Sequence, residues 1–406
     1  MSFDSLWSAL EPIGRDPATG GYRRFAWTET DAVLREWFTG EAVARGLDLT
    51  LDRAGNQWAW WGDPDTGVRA GRPGIVIGSH LDSVPDGGAF DGPLGVVSAF
   101  AALDVLRAKG FRPGRPVAVV NFADEEGARF GVACAGSRII TGALSGDGLA
   151  GLTDAGGTSM AGAMTAAGQD PRGLGRDEET LRRIATFVEL HIEQGLGLVD
   201  LDRPVAVGSS IFPHGRWRFD LKGQANHAGT TRLEDRDDAM LAFASVVLAI
   251  RRSAERHGVL ATCGKVAVRP NGVNAIVSHA TGWLDARGAD PGEVSLCVDE
   301  IRRLVVDQRG EFRRQSWTGE TMFDPLLAAR LSTLLGGAPQ LPTGAGHDAG
   351  ILANAGIPAA MLFVRNPTGV SHSPAEFAAR EDCLTGVDAL VRTIEALADD
   401  AEEVAR

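Results

Sequence analysis

The sequence is poor in several features that would place it in large protein classes. Its four cysteines, Cys134, Cys263, Cys297 and Cys383, are far apart and form no CxxC pair. That speaks against a disulfide framework or a thiolate zinc site, and it fits a reducing cytoplasm with buried free thiols. No window reaches the run of about 18 apolar residues that a spanning helix needs, so no membrane partner is expected. The first residues, MSFDSLWSALEPIGRD, carry early acidic side chains and no apolar stretch before a small-residue cleavage site, unlike a secretory signal. Positive charge is in deficit: 40 Lys and Arg stand against 53 Asp and Glu, a net charge of −13. An acidic surface repels phosphate backbones and counts against nucleic acid as a partner. It does not exclude an anionic small molecule, because a local arginine overrides the average field. Tyrosine occurs once beside nine tryptophans; nothing in the sequence explains that imbalance.

What is present is enough for ordinary globular cores. Apolar residues make up 44 % of 406, and a single core rarely grows past about 250–300 residues, so two domains are expected. Thr28-x-x-Asp31 resembles a capping box before the periodic run AVLREWFTGEAVARG. Continuous apolar runs at Gly74 to Gly78, Val117 to Ala123, Ala185 to Ile192 and Ile357 to Val364 read as buried strands. Helical periodicity marks Leu94 to Lys109 and about Glu381 to Ala398. Buried runs alternating with helices predict an α/β domain with a mostly parallel sheet.

Near Ser210 the pattern changes. Gly215 to Gly223 alternates polar and apolar residues, as a half-exposed antiparallel strand does. A helix from about Asp235 to His257 follows, then strands at Lys265 to Pro270 and Ala280 to Arg287, a helix at Pro291 to Gln308, and a strand at Glu311 to Trp317. The order βαββαβ is that of a ferredoxin-like unit. The expected organisation is therefore a discontinuous α/β domain, residues 1–209 and 322–406, with a ferredoxin-like α+β domain inserted at 210–321. The Gly-rich stretch Ala155 to Gly175 is expected to be a surface loop.

Polar clusters follow several of the apolar strands: His80 with Asp82, Asp124-Glu125-Glu126, His191 with Glu193, and His372. In an open parallel sheet, ligands bind outside the carboxyl ends of the strands, where residues distant in sequence converge. Asp91, in AFDGPLG, has flanking glycines that can bend the chain back over those ends. Imidazole and carboxylate without thiolate suit Zn²⁺, Mn²⁺, Co²⁺ or Ni²⁺. Five such ligands are too many for one catalytic zinc, whereas two metals sharing a bridging carboxylate fit the count. A lone His or Glu pair is more often structural, and spacing alone leaves a metal site and that bland reading equally open.

The motifs GSHLDSVPDGGAFDGPLGV, NFADEEGARFG, ELHIEQG, GQANHAGTT, PNGVNAI, GAGHDA and GVSHSPAE occur in that order, from about residue 78 to 376. Together they resemble the amidase/hydantoinase-carbamoylase branch of the aminoacylase-like dinuclear metallohydrolases. That branch holds N-carbamoyl-L-amino acid hydrolases, β-ureidopropionases, allantoate amidohydrolases and ureidoglycolate amidohydrolases. The resemblance implies two divalent metal ions per chain, zinc first, held by His80, Asp91, Glu126, His191 and His372, with Asp91 bridging. It implies that Glu125 is the general base and that Asp82 orients His80. In the inserted domain it implies that His227 and Asn274 contact the tetrahedral oxyanion and Arg287 the substrate carboxylate. Gln194, which follows a metal ligand, is implied to touch the substrate. For His347, in a Gly-rich loop near the pocket, loop architecture and substrate contact are equally open, and His214 is read as lining the hinge or the site. His257 and His279 are expected on the surface.

The implied activity is hydrolysis of the ureido or carbamoyl C–N bond of a small carboxylic acid, such as an N-carbamoyl-L-amino acid or allantoate. The inserted domain is implied to act as a lid and to form a homodimer. Two positions depart from the common pattern: Arg232 stands where many relatives have proline, and Arg365 would favour a more polar substrate if it faced the pocket. One rival is a dipeptidase or N-acyl-amino acid hydrolase of the same superfamily, against which ELHIEQG speaks. Another is a non-catalytic binding protein on a decayed enzyme fold, which the retention of all five ligands and Glu125 opposes.

Overall fold

A computed structural model describes residues 2–399, the side chain of residue 147 excepted. Among them lie thirteen strands: β1 (Asp48–Leu51), β2 (Gln57–Trp61), β3 (Gly74–His80), β4 (Val117–Phe122), β5 (Ile184–Ile192), β6 (Val205–Ile211), β7 (His214–Lys222), β8 (Leu260–Arg269), β9 (His279–Arg287), β10 (Glu311–Thr318), β11 (Thr321–Met322), β12 (Gln340–Thr343) and β13 (Ala359–Val364). The chain divides into two compact units. One joins the residues up to Ser210 to those from Met322 onward, and the other is Ile211–Thr321.

The larger unit is built on a nine-stranded sheet in the order β1-β2-β4-β3-β5-β13-β6-β11, with β12 also paired to β6. Its centre, β4, β3, β5 and β13, is parallel throughout. β2 and β6 join that centre antiparallel, and β1 pairs antiparallel with β2. Every residue of β3, β4 and β13 is buried, as expected for parallel strands covered on both faces. The helix Pro93–Ala108 is buried almost all round. Gly95 lets it lie directly on β5: a β-carbon there would stand 2.3 Å from the carbonyl oxygen of Leu190.

The four parallel strands are those the apolar runs predict. The antiparallel flanks are not visible in that way. β2 is five residues with three tryptophans, too short and too aromatic to announce a period, and β1 is only half-buried. The stretch expected to be a loop, 155–175, holds a helix at Met160–Ala166, capped by Ser159, and a 3-10 turn at Pro171–Gly173. Its glycines punctuate rather than exclude structure. Thr28 does cap its helix, accepting from the amide of Asp31 at 3.3 Å, while the Asp31 carboxylate accepts from Trp27 N.

The smaller unit runs β7, helix Ala239–His257, β8, β9, helix Pro291–Asp307, β10. Its sheet is antiparallel in the order β10-β7-β9-β8, the ferredoxin-like arrangement. Both helices pack on one sheet face, around Phe219, Phe243, Val246, Leu284, Val294 and Ile301. The first helix starts at Ala239, capped by Asp238, after a 3-10 turn at Leu233–Asp235. No helix among the described residues is long and apolar enough to cross a membrane.

Candidate metal centre

The parallel strands β3, β4 and β5 end side by side, and their last residues deliver polar groups to one place. His80 closes β3 and His191 is the penultimate residue of β5; both are fully buried. β4 ends at Phe122, and Asp124, in the left-handed region at φ +54°, turns the chain so that Glu125 and Glu126 follow. His372 lies on the loop after β13. That loop is folded about the buried Asn366, whose Oδ1 accepts from the amides of Thr368 and Gly369 while its Nδ2 donates to Val370 O.

Asp91 approaches on the segment before the helix Pro93–Ala108. Gly92 is at φ +84°, and a β-carbon there would stand 2.4 Å from the His80 ring, so only glycine admits this close approach. Glu376 fixes the segment from the other side, accepting from the amides of Phe90 and Asp91 at 2.8 and 2.9 Å.

Asp91 Oδ1 lies 3.1 Å from His191 Nε2 and 3.5 Å from His80 Nε2. Its Oδ2 lies 3.4 Å from His372 Nε2, which is 3.6 Å from Glu126 Oε2. Two donor triads thus share one carboxylate: His80, Asp91 and His191, and Asp91, Glu126 and His372. The Nε2 atoms of His80 and His191 are buried without a hydrogen-bond partner. Such orphaned donors, converging with carboxylates, fit a cation.

The electrostatics follow from burial. Desolvation raises Glu125 well above the usual carboxylate range, against the pull of His80. Burial and the neighbouring Asp91 push Glu126 up to about 7. The hydrogen bond to Asp91 takes His372, half-exposed, up to about 9. Glu125 lies beside the triads, its Oε2 3.8 Å from His80 Nε2. Asp82 ties the parts together. Its carboxylate accepts from the amides of Glu125 and Glu126 at 3.1 and 3.0 Å. His80 Nδ1 faces both its main-chain oxygen, at 3.2 Å, and its Oδ1, at 3.4 Å.

Gln194, expected at the substrate, donates from Nε2 to Asp91 Oδ2 at 2.9 Å and to Ser371 Oγ at 3.1 Å. His347 is buried at the start of the helix Asp348–Asn354. Its ring centroid is 4.5 Å from that of His191, and neither ring nitrogen has a hydrogen-bond partner. Burial and the adjacent His191 hold it well below the ordinary histidine range, hence neutral. Glu193 belongs to a turn, accepting from the amides of Gly197 and Leu198. Glu376 and Ser371 lie within the GVSHSPAE motif, but no sequence signal marks them as supports of the site. Nor does any mark Glu189, fully buried beneath the site, where it accepts from Ser79 Oγ and Ala349 N.

The remaining candidates, Arg365 apart, lie in the smaller unit. His227 and Asn274 are exposed on adjoining loops: His227 forms an isolated bridge with Ala275, and Ala228 N donates to Asn274 O. His227 Nδ1 accepts from Gly229 N at 3.0 Å, which leaves Nε2 to carry the proton of a neutral ring. Arg287 is held by Asp285 two residues earlier on β9, with Nε–Oδ1 at 2.8 Å and Nη2–Oδ2 at 2.7 Å. The Nδ1 of His214 faces Phe212 O. His257 and His279 are not simple surface residues: His257 is paired with Glu293 and Glu300, and His279 with Asp220. Arg232 pairs with Asp235 on the surface. Arg365 forms a two-pronged pair with Asp382 and reaches Asp202, so its guanidinium is committed to carboxylates of its own chain.

Comparison with known proteins agrees with this geometry. Residues 76–396 match the model of peptidase family M20/M25/M40. The N-carbamoyl-L-amino acid amidohydrolase of Geobacillus stearothermophilus is 35 % identical, over 97 % of this chain and 98 % of its own. The allantoate amidohydrolase of Escherichia coli K12 is 33 % identical, over 96 % of each. The crystal structure of a hydantoinase/carbamoylase family amidase from Burkholderia vietnamiensis superposes with a TM-score of 0.87 at 28 % identity, over 98 % of this chain and 97 % of that one. The chain belongs to peptidase family M20/M25/M40, in the company of amidohydrolases of N-carbamoyl amino acids and allantoate.

Proposed function

We propose that the protein is a metal-dependent amidohydrolase that cleaves the ureido C–N bond of a small carboxylic acid. His80, Asp91, Glu126, His191 and His372 would hold two divalent cations, and Glu125 is the general base. The observation that carries the reading is the division of Asp91, with one oxygen toward His80 and His191 and the other toward His372. Cations bound there, zinc first and manganese, cobalt or nickel as alternatives, would supply Lewis acidity to the scissile carbonyl and acidify water.

The chain's own residues do the rest. Glu125 takes a proton from the attacking water and returns it to the leaving nitrogen. Asp82 fixes His80 and, through two amides, the segment bearing Glu125. Gln194 orients Asp91 in addition to any contact with substrate, and neutral His347 contributes an uncharged polar wall. In the inserted unit, His227 through Nε2–H and Asn274 through its amide donate to the oxyanion, and Arg287 binds the substrate carboxylate. Water adds to the carbonyl carbon and the C–N bond breaks. An amine or ammonia leaves, and the remaining carbamate decomposes to CO₂ and the second nitrogen product, ammonia or the amine.

The inserted unit is proposed to act as a lid and to form a homodimer. β8 is the end strand of its sheet, with Leu260 and Val266 exposed, and the adjoining helix exposes Leu241 and Leu248. A long edge strand beside apolar side chains favours pairing with a second copy. A cytoplasmic location fits four free thiols.

The test is ammonia release from metal-loaded protein on allantoate, several N-carbamoyl-L-amino acids and N-carbamoyl-β-alanine, with a chelated control. Chelator-sensitive turnover of one of them is expected. Turnover of dipeptides alone would overturn the reading.

A further inference from the structure

Cys134 is one of four free thiols, and the reaction described above gives it no part. It is 2 % exposed and lies at φ +54°, a conformation that favours glycine. The segment it opens is clamped onto the stretch that bears the base: Cys134 N, Ala135 N and Gly136 N donate in succession to Glu125 O, Asp124 O and Ala123 O. This antiparallel clamp turns the Cys134 side chain toward that of Glu125, and Sγ stands 3.2 Å from Glu125 Oε1. Among the described residues, no other side chain donates a hydrogen bond to this carboxylate. The other oxygen, Oε2, is the one that faces His80.

We propose that Cys134 is a positioning residue for Glu125: its thiol donates to Oε1 and so keeps Oε2 turned toward the triads. The inference rests on the role of Glu125 proposed above. A base that accepts a proton from water and returns it to nitrogen needs one lone pair aimed at the reactants, and misplacement costs rate. A thiol is a weak donor, but this one stays protonated, since burial and the adjacent Glu125 charge push its pKa well above the ordinary value. A side chain kept at a positive φ, where glycine would be less strained, is consistent with a task for its sulfur.

Cys134→Ala removes the donor and Cys134→Ser keeps one. The alanine variant is expected to lose about tenfold in kcat, the worth of one ordinary hydrogen bond, with KM within about twofold and metal content unchanged. The serine variant is expected to regain most of that loss. A purely structural role would lower the melting temperature of both and leave kcat per folded molecule alone. A second readout needs neither metal nor substrate. The infrared S–H stretch of Cys134, identified by its loss in Cys134→Ala, should lie below those of the other thiols and move toward them in Glu125→Ala. Wild-type kcat in Cys134→Ala, or an S–H band indifferent to Glu125, overturns the inference. If the wild-type protein hydrolyses no ureido acid, the proposed function fails, and the infrared band alone then decides whether the thiol holds Glu125.

Discussion

The two units offer polar residues to chemistry in opposite ways. In the larger one, His80 and His191 are buried at strand ends and Asp91 on the segment before a helix, with Asp91 braced by Glu376 and His80 by Asp82. In the smaller one, His227 and Asn274 sit exposed on loops braced chiefly by main-chain bonds. Buried imidazole nitrogens without hydrogen-bond partners are costly unless something binds there, whereas an exposed histidine is solvated at little cost. The first arrangement suits a permanent occupant and the second a transient one. It follows that loss of a buried ligand in the larger unit should cost cofactor and chemistry together, while lesions in the smaller should cost chemistry alone.

The largest effect is expected at Asp91, because its two oxygens serve both triads. Asp91→Asn should bind neither metal tightly and show no turnover above background, measured by bound-metal analysis beside the ammonia assay. Retention of two metals would dissolve the idea of a shared carboxylate. Glu125→Gln should separate the two properties, keeping both metals while kcat falls by about 10²–10⁴, the usual range for a general base. Next come His227→Ala and Asn274→Ala, each expected to lower kcat by about 10²–10³ with metal content intact. If a partner's loop completes each site, mixing inactive Glu125→Gln and His227→Ala chains should restore part of the activity. No recovery would confine each site to a single chain.

Protons sharpen the same contrast. Glu126 rises to about 7 and His372 to about 9, so at neutral pH the metal-free site holds protons that a cation must displace. Both pKa values are raised, so the competing protons are both present well below pH 7 and lost as pH climbs through each value. Metal affinity should therefore increase with pH across that interval, and calorimetry in buffers of different ionisation enthalpy should show protons released on binding. Uptake without proton release would contradict it.

How much of this was legible in the sequence depends on the kind of residue. The parallel core was readable because β3, β4 and β13 are buried on both faces and therefore appear as unbroken apolar runs. The flanks were not, since β1 and β12 are four-residue strands with mixed burial. The family was legible because its motifs lie at the turns after strands, where backbone and chemistry constrain residue type together. Bracing was not: that Glu376 holds the amide of Asp91, or that Gln194 lies on Asp91, is a pairing across 285 and 103 positions of sequence. No local pattern encodes such a distance.

Arg365 is where sequence reading and structure part most clearly, and it carries the smallest expected effect. From the sequence alone, Arg365 would favour a more polar substrate if it faced the pocket. Its guanidinium is instead engaged by both oxygens of Asp382 and by Asp202. A guanidinium so paired has little left to offer a substrate, and a partly exposed ion pair contributes about 1 kcal/mol or less. Arg365→Ala should therefore leave the ranking of ureido acids by kcat/KM unchanged and lower the melting temperature by no more than about 1–2 °C, since the shift per kcal/mol shrinks as the chain lengthens. A changed ranking at unchanged stability would return Arg365 to the substrate and require the pair with Asp382 to open during turnover.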